Sequence, residues 1–305
     1  MTFELTILGS SGALPAHFRH PTAQIVNHNE LFFLLDCGEG TQMQLDKFGI
    51  KRGKINHIFI SHLHGDHYYG LMGLLTSYVL LARQQPLYVY GPQGLKDKIA
   101  AHIDVTDADI GFEIHINELV VPEINTCSLL IENEYLEIYY FPLAHRITCF
   151  GYLLKEKLRQ RNIIKSKINE HQLTVTEILQ LKAGEDVKRA NELLVNEDFT
   201  KAPPKPRSYA FCTDTLPVID NYNFLKEVDL LYHEATFLHN DTERAAQTHH
   251  TTTTQAAQVA QNLIAAKLLI GHFSAKYQNL DLLLDEAKQT FKNTNLAIEG
   301  ETYKV

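Results

Sequence analysis

The sequence has no two cysteines close together in the chain. Its four, Cys37, Cys127, Cys149 and Cys212, lie far apart with no C-x-x-C pair, which argues against a disulfide framework or a cysteine metal site, and we read them as reduced core residues. Long hydrophobic runs are missing as well. The longest, LMGLLTSYVLLA at 71–82, falls short of the roughly 20 apolar residues that span a bilayer. The opening MTFELTILGS carries no basic stretch followed by a cleavage site, so the expectation is a cytoplasmic protein without a membrane partner. Positive charge is in deficit too. Lys and Arg number 28 against 36 Asp and Glu, a net charge of −8, whereas nucleic-acid binders usually show a basic face.

What is present is a chain of 305 residues, 45% hydrophobic, enough to bury a full core and to exclude whole-chain disorder. Short β-type runs alternate with helical patterns. Strands are expected at 3–9, as a hairpin over 23–38 turning at Asn27, His28 and Asn29, and at 55–61, 87–91, 128–143, 208–214, 229–237, 266–273 and 295–305. Helical periodicity falls at 40–48, 66–82, 93–102, 252–265 and 280–292. Such mixing implies an α/β class with sheets covered by helices. One segment departs from the pattern. From 154 to 207 no strand is evident, and KEKLRQRNIIKSK at 155–167 holds Lys155, Lys157, Arg159, Arg161, Lys165 and Lys167 against one glutamate. We read it as an inserted basic arm, 155–207, within a single catalytic domain over 1–305, because the core pattern resumes at Ser208.

Histidine is abundant, with 16 residues, and SHLHGDHYYG at 61–70 concentrates three of them beside an aspartate. In an extended chain, side chains two apart point the same way, so His62 and His64 can share one metal. Asp66 and His67 follow a glycine and are offset, which suits a second ion. Ligands gather at the carboxyl ends of strands in α/β sheets, and the strand ends supply His145, Asp214, His233 with Glu234, and His272. A closed set places His62, His64 and His145 on one ion and Asp66, His67 and His272 on the other, with Asp214 bridging. Such donors suit two zinc ions, with manganese or iron as alternatives. Two adjacent metals can lower the pKa of a water toward roughly 7 and clamp substrate oxygens. The remaining scattered histidines, such as His57 and His115, read as ordinary hydrogen-bonding residues.

These motifs resemble the metallo-β-lactamase superfamily, with its H-x-H-x-D-H signature followed by a distant His, Asp and His. Within it, LGSSGALP (8–15), FLLDCGEGTQMQL (33–45), CTDT (212–215), HEATF (233–237), HTTTTQAA (250–257) and GHFSAKY (271–277) resemble the ribonuclease Z family over nearly the whole chain. The resemblance implies a four-layer αβ/βα sandwich and a zinc-dependent endoribonuclease that removes the 3′ trailer of precursor tRNA, leaving a 3′-hydroxyl. It also implies a homodimer whose basic arm grips the tRNA. By it, His250 would protonate the leaving ribose oxygen with Glu234 orienting the imidazole. The alternative for His250 is a cap on the helix near Thr252. Asp66 would be a ligand, or also a positioning and proton-accepting group.

His233 is assigned to supporting the metal ligands from behind, and Lys276, where arginine is usual in the family, keeps a charge for phosphate without the bidentate fork. The arm lacks the Gly-Pro element common among relatives. The net charge is no obstacle, because phosphate binding depends on local fields. Two rival readings remain: a hydrolase of the same fold acting on a thioester, lactone or small phosphodiester, and a metal- or RNA-binding protein without catalysis.

Overall fold

The computed structural model describes residues 2–103, 110–217 and 222–305. Two seven-stranded sheets dominate. The first runs in the order Thr302–Lys304, Phe3–Gly9, Ala23–His28, Leu31–Leu35, Ile55–Phe59, Leu87–Pro92, Ile114–Leu119. Its strands pair antiparallel from the first edge as far as Leu31–Leu35 and parallel from there on. The hairpin turns later than the sequence suggests. Pairing continues to His28 opposite Leu31, leaving Asn29 and Glu30 as a two-residue loop with φ of 51° and 69°, the left-handed pair that tight hairpins require and asparagine tolerates.

The second sheet runs Thr294–Leu296, Leu268–Gly271, Leu230–Glu234, Ser208–Cys212, Cys149–Glu156, Leu136–Leu143, Ser128–Glu132. Its first four members are parallel, so their carboxyl ends open on one edge. The segment 128–143 is two strands, because the Asn133 side chain accepts from the backbone of Tyr135 and Leu136 and turns the chain. Two strands lie outside the expected set, Ile114–Leu119 and Cys149–Glu156. The second of these is buried along almost its whole length, so it shows no alternation to read.

Alternation along each strand sorts side chains into layers. Ile58 packs with Leu71, Leu74 and Leu75 of helix Gly65–Leu80, while its neighbour Phe59 turns the other way and meets Tyr152 of the second sheet, ring centroids 5.2 Å apart. On the second sheet, Leu231, Leu268 and Ile270 pack with Ala256, Ala260 and Leu263 around helix Thr253–Asn262. The Tyr209 hydroxyl of that sheet donates to the Gln24 side chain of the first. Helices therefore lie outside and an aromatic layer inside, an αβ/βα sandwich. Each large side chain so buried contributes about 1.5–3 kcal/mol.

Lys155–Arg207 forms a separate compact unit together with Ile131–Glu137. It contains helices Lys165–Glu170, Val175–Ala183 and Asn196–Phe199. Contrary to the strandless expectation, it also has two short ladders, Asn162–Ile163 with Thr200–Lys201 and Val187–Lys188 with Leu193–Leu194. Its core is small: Leu173, Leu181, Val187, Leu194 and Phe199, flanked by Ile163, Ile168 and Ile178. Thr174 and Glu177 form a reciprocal capping box at the start of Val175–Ala183, and Gly184, at φ 93°, ends it.

Candidate metal centre

Strand Ile55–Phe59 stops just before the histidine-rich loop, and helix Gly65–Leu80 starts inside it with His64 extended at the cap position. The loop is thus fixed at both ends. His62 Nε2 lies 3.0 Å from His64 Nδ1, which lies 3.2 Å from His145 Nε2. Asp214 Oδ2 is 3.6 Å and 3.8 Å from His62 Nε2 and His145 Nε2. A second group adjoins the first. Asp66 Oδ2 is 3.4 Å from His67 Nε2 and 3.5 Å from His272 Nε2, and Asp214 Oδ1 is 3.3 Å and 3.0 Å from the same two nitrogens. Each oxygen of Asp214 therefore faces one group. Within each group, the donor atoms lie within 4.8 Å of one another.

The outward nitrogens explain the inward ones. His62 Nδ1 meets Ser61 Oγ at 3.0 Å, and His67 Nδ1 donates to Asp36 Oδ2 at 2.7 Å. His145 Nδ1 donates to the His249 carbonyl at 3.1 Å, and His272 Nδ1 meets Thr236 Oγ1 at 2.9 Å. Once the outer nitrogen holds the proton, the inner one presents a lone pair, the arrangement that fixes metal-binding imidazoles. His67 Nε2 and His272 Nε2 are buried and make no hydrogen bond. Clustered imidazole nitrogens and carboxylate oxygens with orphaned, inward-facing nitrogens fit a divalent cation.

The electrostatics agree with a centre that demands positive charge. Burial opposes ionisation of Asp66 and Asp214, yet His67 and His272 hold both below the usual carboxylate range. Burial likewise opposes protonation of His272, but Asp214 and Asp66 raise it to about 10, and His67 is raised in the same way by Asp214, Asp66 and Asp36. His62 and His145 go the other way, His145 to about 4, because burial dominates and neighbouring imidazoles repel a second proton.

Asp36 escaped sequence reading. Fully buried, it accepts from the Ser61 backbone and hydroxyl as well as from His67. It directly follows strand Leu31–Leu35, a strand-end position like those of Asp214 and Glu234. The assignment of support to His233 is not what the geometry displays. His233 Nδ1 donates to the Glu234 carbonyl at 2.7 Å and Nε2 has no partner. Successive strand residues point to opposite faces, so with Glu234 turned into the site, His233 is turned away.

Glu234 is a buried hub. Oε1 accepts from His250 Nδ1 at 2.9 Å and from the Thr215 backbone at 3.1 Å, while Oε2 accepts from the Thr236 backbone and hydroxyl at 3.1 and 2.7 Å. Since Thr236 also holds His272, one carboxylate orients both His250 and a member of the donor cluster. Burial opposes a charge on His250, but Glu234 outweighs it and raises the imidazole pKa. The cap of helix Thr253–Asn262 is Thr252, in a reciprocal box with Gln255. His250 is therefore free of capping duty.

His64, Asp66, Asp214, His250 and His272 line one cleft of about 460 Å³. Ala13 donates its N–H to Asp66 Oδ2 at 2.7 Å. A side chain at Gly12 would come within 2.7 Å of His272 Cε1, so glycine there lets the loop close over that ring. Lys276 Nζ sits between the two oxygens of Asp241, at 2.8 and 2.7 Å. In the arm, Lys157 pairs with Glu132, Arg159 with Glu156 and Lys167 with Glu170, while Arg161 donates to Thr200. Lys155 and Lys165 are exposed.

Comparison with known proteins gives the fold a family. The family model described as "Anti-Pycsar protein Apyc1" matches residues 3–103. Ribonuclease Z of Cytophaga hutchinsonii is 44% identical over 308 residues, covering 100% of this chain and 97% of the relative. Ribonuclease Z of Bacteroides fragilis is 40% identical over 299 residues, 98% and 97% of the two chains. Among solved structures, human tRNase Z, short form, matches with a TM-score of 0.73 at 27% identity and 99% coverage of both chains. The metallo-beta-lactamase fold protein YhfI from Bacillus subtilis matches at 0.70 and 16% over 100% of both, a likeness of fold. With curated relatives this similar along nearly its entire length, the chain belongs to the ribonuclease Z family.

Proposed function

We propose that the protein is an endoribonuclease that cuts precursor tRNA after the discriminator nucleotide, releasing the 3′ trailer and leaving a 3′-hydroxyl on the tRNA. The observation that carries this reading is the opening of the donor cluster into a single cleft together with His250, whose ring the buried Glu234 holds from behind. His62, His64 and His145 would hold one divalent ion, Asp66, His67 and His272 the other, and Asp214 both. The histidine-rich donor set suits zinc, with manganese or iron as alternatives. Metal bound there supplies Lewis acidity toward a phosphate oxygen and acidifies water near neutral pH.

The chain's own residues do the rest. Water adds its oxygen to phosphorus and gives up a proton to the solvent of the open cleft, the bond from phosphorus to the ribose 3′ oxygen breaks, and the departing oxygen takes a proton from His250, which regains one from solvent. Glu234 occupies Nδ1, which leaves Nε2 of that ring for the cleft, and the adjacent carboxylate raises the pKa of the imidazole and so favours its protonated form. Asp36, Ser61 and Thr236 fix the rings that face the cluster, so little reorganisation accompanies the reaction. The exposed cations Lys155 and Lys165, with Lys157, Arg159, Arg161 and Lys167 beside them in the arm, would supply the local field for tRNA phosphates, and Lys276 a further phosphate contact. Family kinship supports a cytoplasmic homodimer. Among the described residues no helix is long and apolar enough to cross a membrane.

The test is incubation of metal-loaded protein with a 3′-extended precursor tRNA, with and without chelator, mapping both ends at the cut. A chelator-sensitive cut after the discriminator with a 3′-hydroxyl is the expected result. Good turnover of a thioester or lactone with no cut in the RNA would sink the proposal.

A further inference from the structure

The wall formed by Ala13, Leu14, Arg146, His250 and His272 has a second side. Behind it lies another cleft, of about 530 Å³, within the range that accommodates a small organic ligand. The two clefts differ in charge. The first holds Asp66 and Asp214 of the donor cluster. The second adds Arg244 and Lys276, and its one carboxylate, Asp241, is engaged by Lys276 and by the Tyr277 hydroxyl. Arg146 and Arg244 are both exposed, and neither guanidinium has a hydrogen bond or ion pair among the described residues. Arg146 follows the cluster histidine His145 directly, and Arg244 projects from helix Thr242–Thr248. The half-buried Phe237 ring, 6.2 Å from that of His250, completes an apolar wall.

Chemistry assigns a direction across the shared wall. A general acid must stand on the side of the group that leaves, and His250 belongs to both clefts. The phosphorus lies over the donor cluster in the first cleft, so the nucleotide whose 3′ oxygen departs extends into the second. We infer that this second cleft is a subsite for the departing nucleotide, with its base against Phe237 and its 5′-phosphate gripped by Arg244, and with Arg146 at the boundary between that phosphate and the scissile one. Guanidinium groups suit this task, since their planar fork matches phosphate oxygens. The inference rests on the proposed role of His250 as acid to the leaving oxygen.

Adenosine 5′-monophosphate carries both features of the departing nucleotide, a free 3′-hydroxyl and a 5′-phosphate. Adenosine carries the 3′-hydroxyl without the 5′-phosphate and, unlike a 3′-monophosphate, puts no phosphate on the donor cluster. Calorimetric binding of each to metal-loaded wild type and Arg244→Ala gives a direct reading. Wild type should bind the 5′-monophosphate about tenfold more tightly than adenosine, the worth of one charge-assisted hydrogen bond. Arg244→Ala should lose the preference and Arg244→Lys should regain part of it. With precursor tRNA, Arg244→Ala should raise KM by a similar factor and leave kcat nearly unchanged. No binding of either ligand, no preference for the 5′-monophosphate in wild type, or a preference that survives in Arg244→Ala would each overturn the inference. Because the mononucleotide measurement uses no tRNA, failure of wild type to cut a precursor would count against the proposed function and leave the subsite result readable.

Discussion

The catalytic unit and the arm treat their charged residues in opposite ways. Around the donor cluster of the catalytic unit the charges are buried and interlocked: Asp36 holds His67, Glu234 holds His250, and through Thr236 the same glutamate steadies His272. The arm places its charges around a small core of five buried residues, and apart from the buried Glu156, which Arg207 and Arg159 engage, its ion pairs, such as Arg189 with Glu177 and Lys157 with Glu132, lie at the surface. Buried networks impose one geometry because an unmatched partner is costly, whereas surface pairs contribute about 0–1 kcal/mol and permit rearrangement. Chemistry requires the first property, and the contact with tRNA phosphates proposed for the arm requires only the second.

The largest expected effect breaks the catalytic side alone. His250→Ala should lower single-turnover cleavage about 10²–10⁴-fold, with the metal content unchanged by elemental analysis. Loss of metal along with activity would instead make His250 a ligand, a role its proximity to Asp214 and His272 permits.

Next comes the arm's core. Leu181→Ala should destabilise that unit by about 2–5 kcal/mol, and hydrogen exchange should accelerate in Val175–Ala183 while Leu230–Glu234 stays protected. Equal acceleration in both would mean that the two units unfold together and would remove the contrast.

A smaller effect belongs to Asp36. Replacing it with asparagine should weaken metal affinity by about 10–100-fold, measured by competition with a chromophoric chelator. Unchanged affinity would show that Ser61 and packing suffice to aim His67.

The smallest effect concerns pH. The hydrogen bond with Arg189 and the capping contacts with Thr174 depress the Glu177 pKa to about 2, below an ordinary value of roughly 4.3. A depressed acid contributes stability above its unfolded pKa and loses it as pH falls through the folded one. A carbon-detected NMR titration should therefore place the Glu177 midpoint near 2 in the native arm, and Arg189→Ala should return it toward the ordinary value. A normal midpoint in the wild type would mean that this pair does not persist in solution.

Much of the donor cluster was legible because its residues obey local rules. The spacing of His62, His64, Asp66 and His67 reports a strand end running into a helix start, and His145, Asp214 and His272 follow apolar runs that read as strands. Asp36 obeys the same rule, directly after strand Leu31–Leu35. His233 misled because it shares a motif with Glu234, although strand alternation sends the two side chains to opposite faces. The strand Cys149–Glu156 was invisible for a different reason, since burial on both sides erases the periodicity that sequence reading depends on.

By itself, the sequence determined the α/β class, the residue types of the cluster and the charge of the arm, because these depend on composition and on spacing along a few residues. Tertiary structure decided everything that joins distant segments: the two-sided use of Asp214, the hub at Glu234, the internal pairing of arm cations such as Lys157 and Arg159, and the cleft where Arg146 and Arg244 meet across 98 positions of chain. Such meetings are set by sheet order and strand register, which bring carboxyl ends together from strands far apart in sequence, and no local pattern encodes which ends will be neighbours.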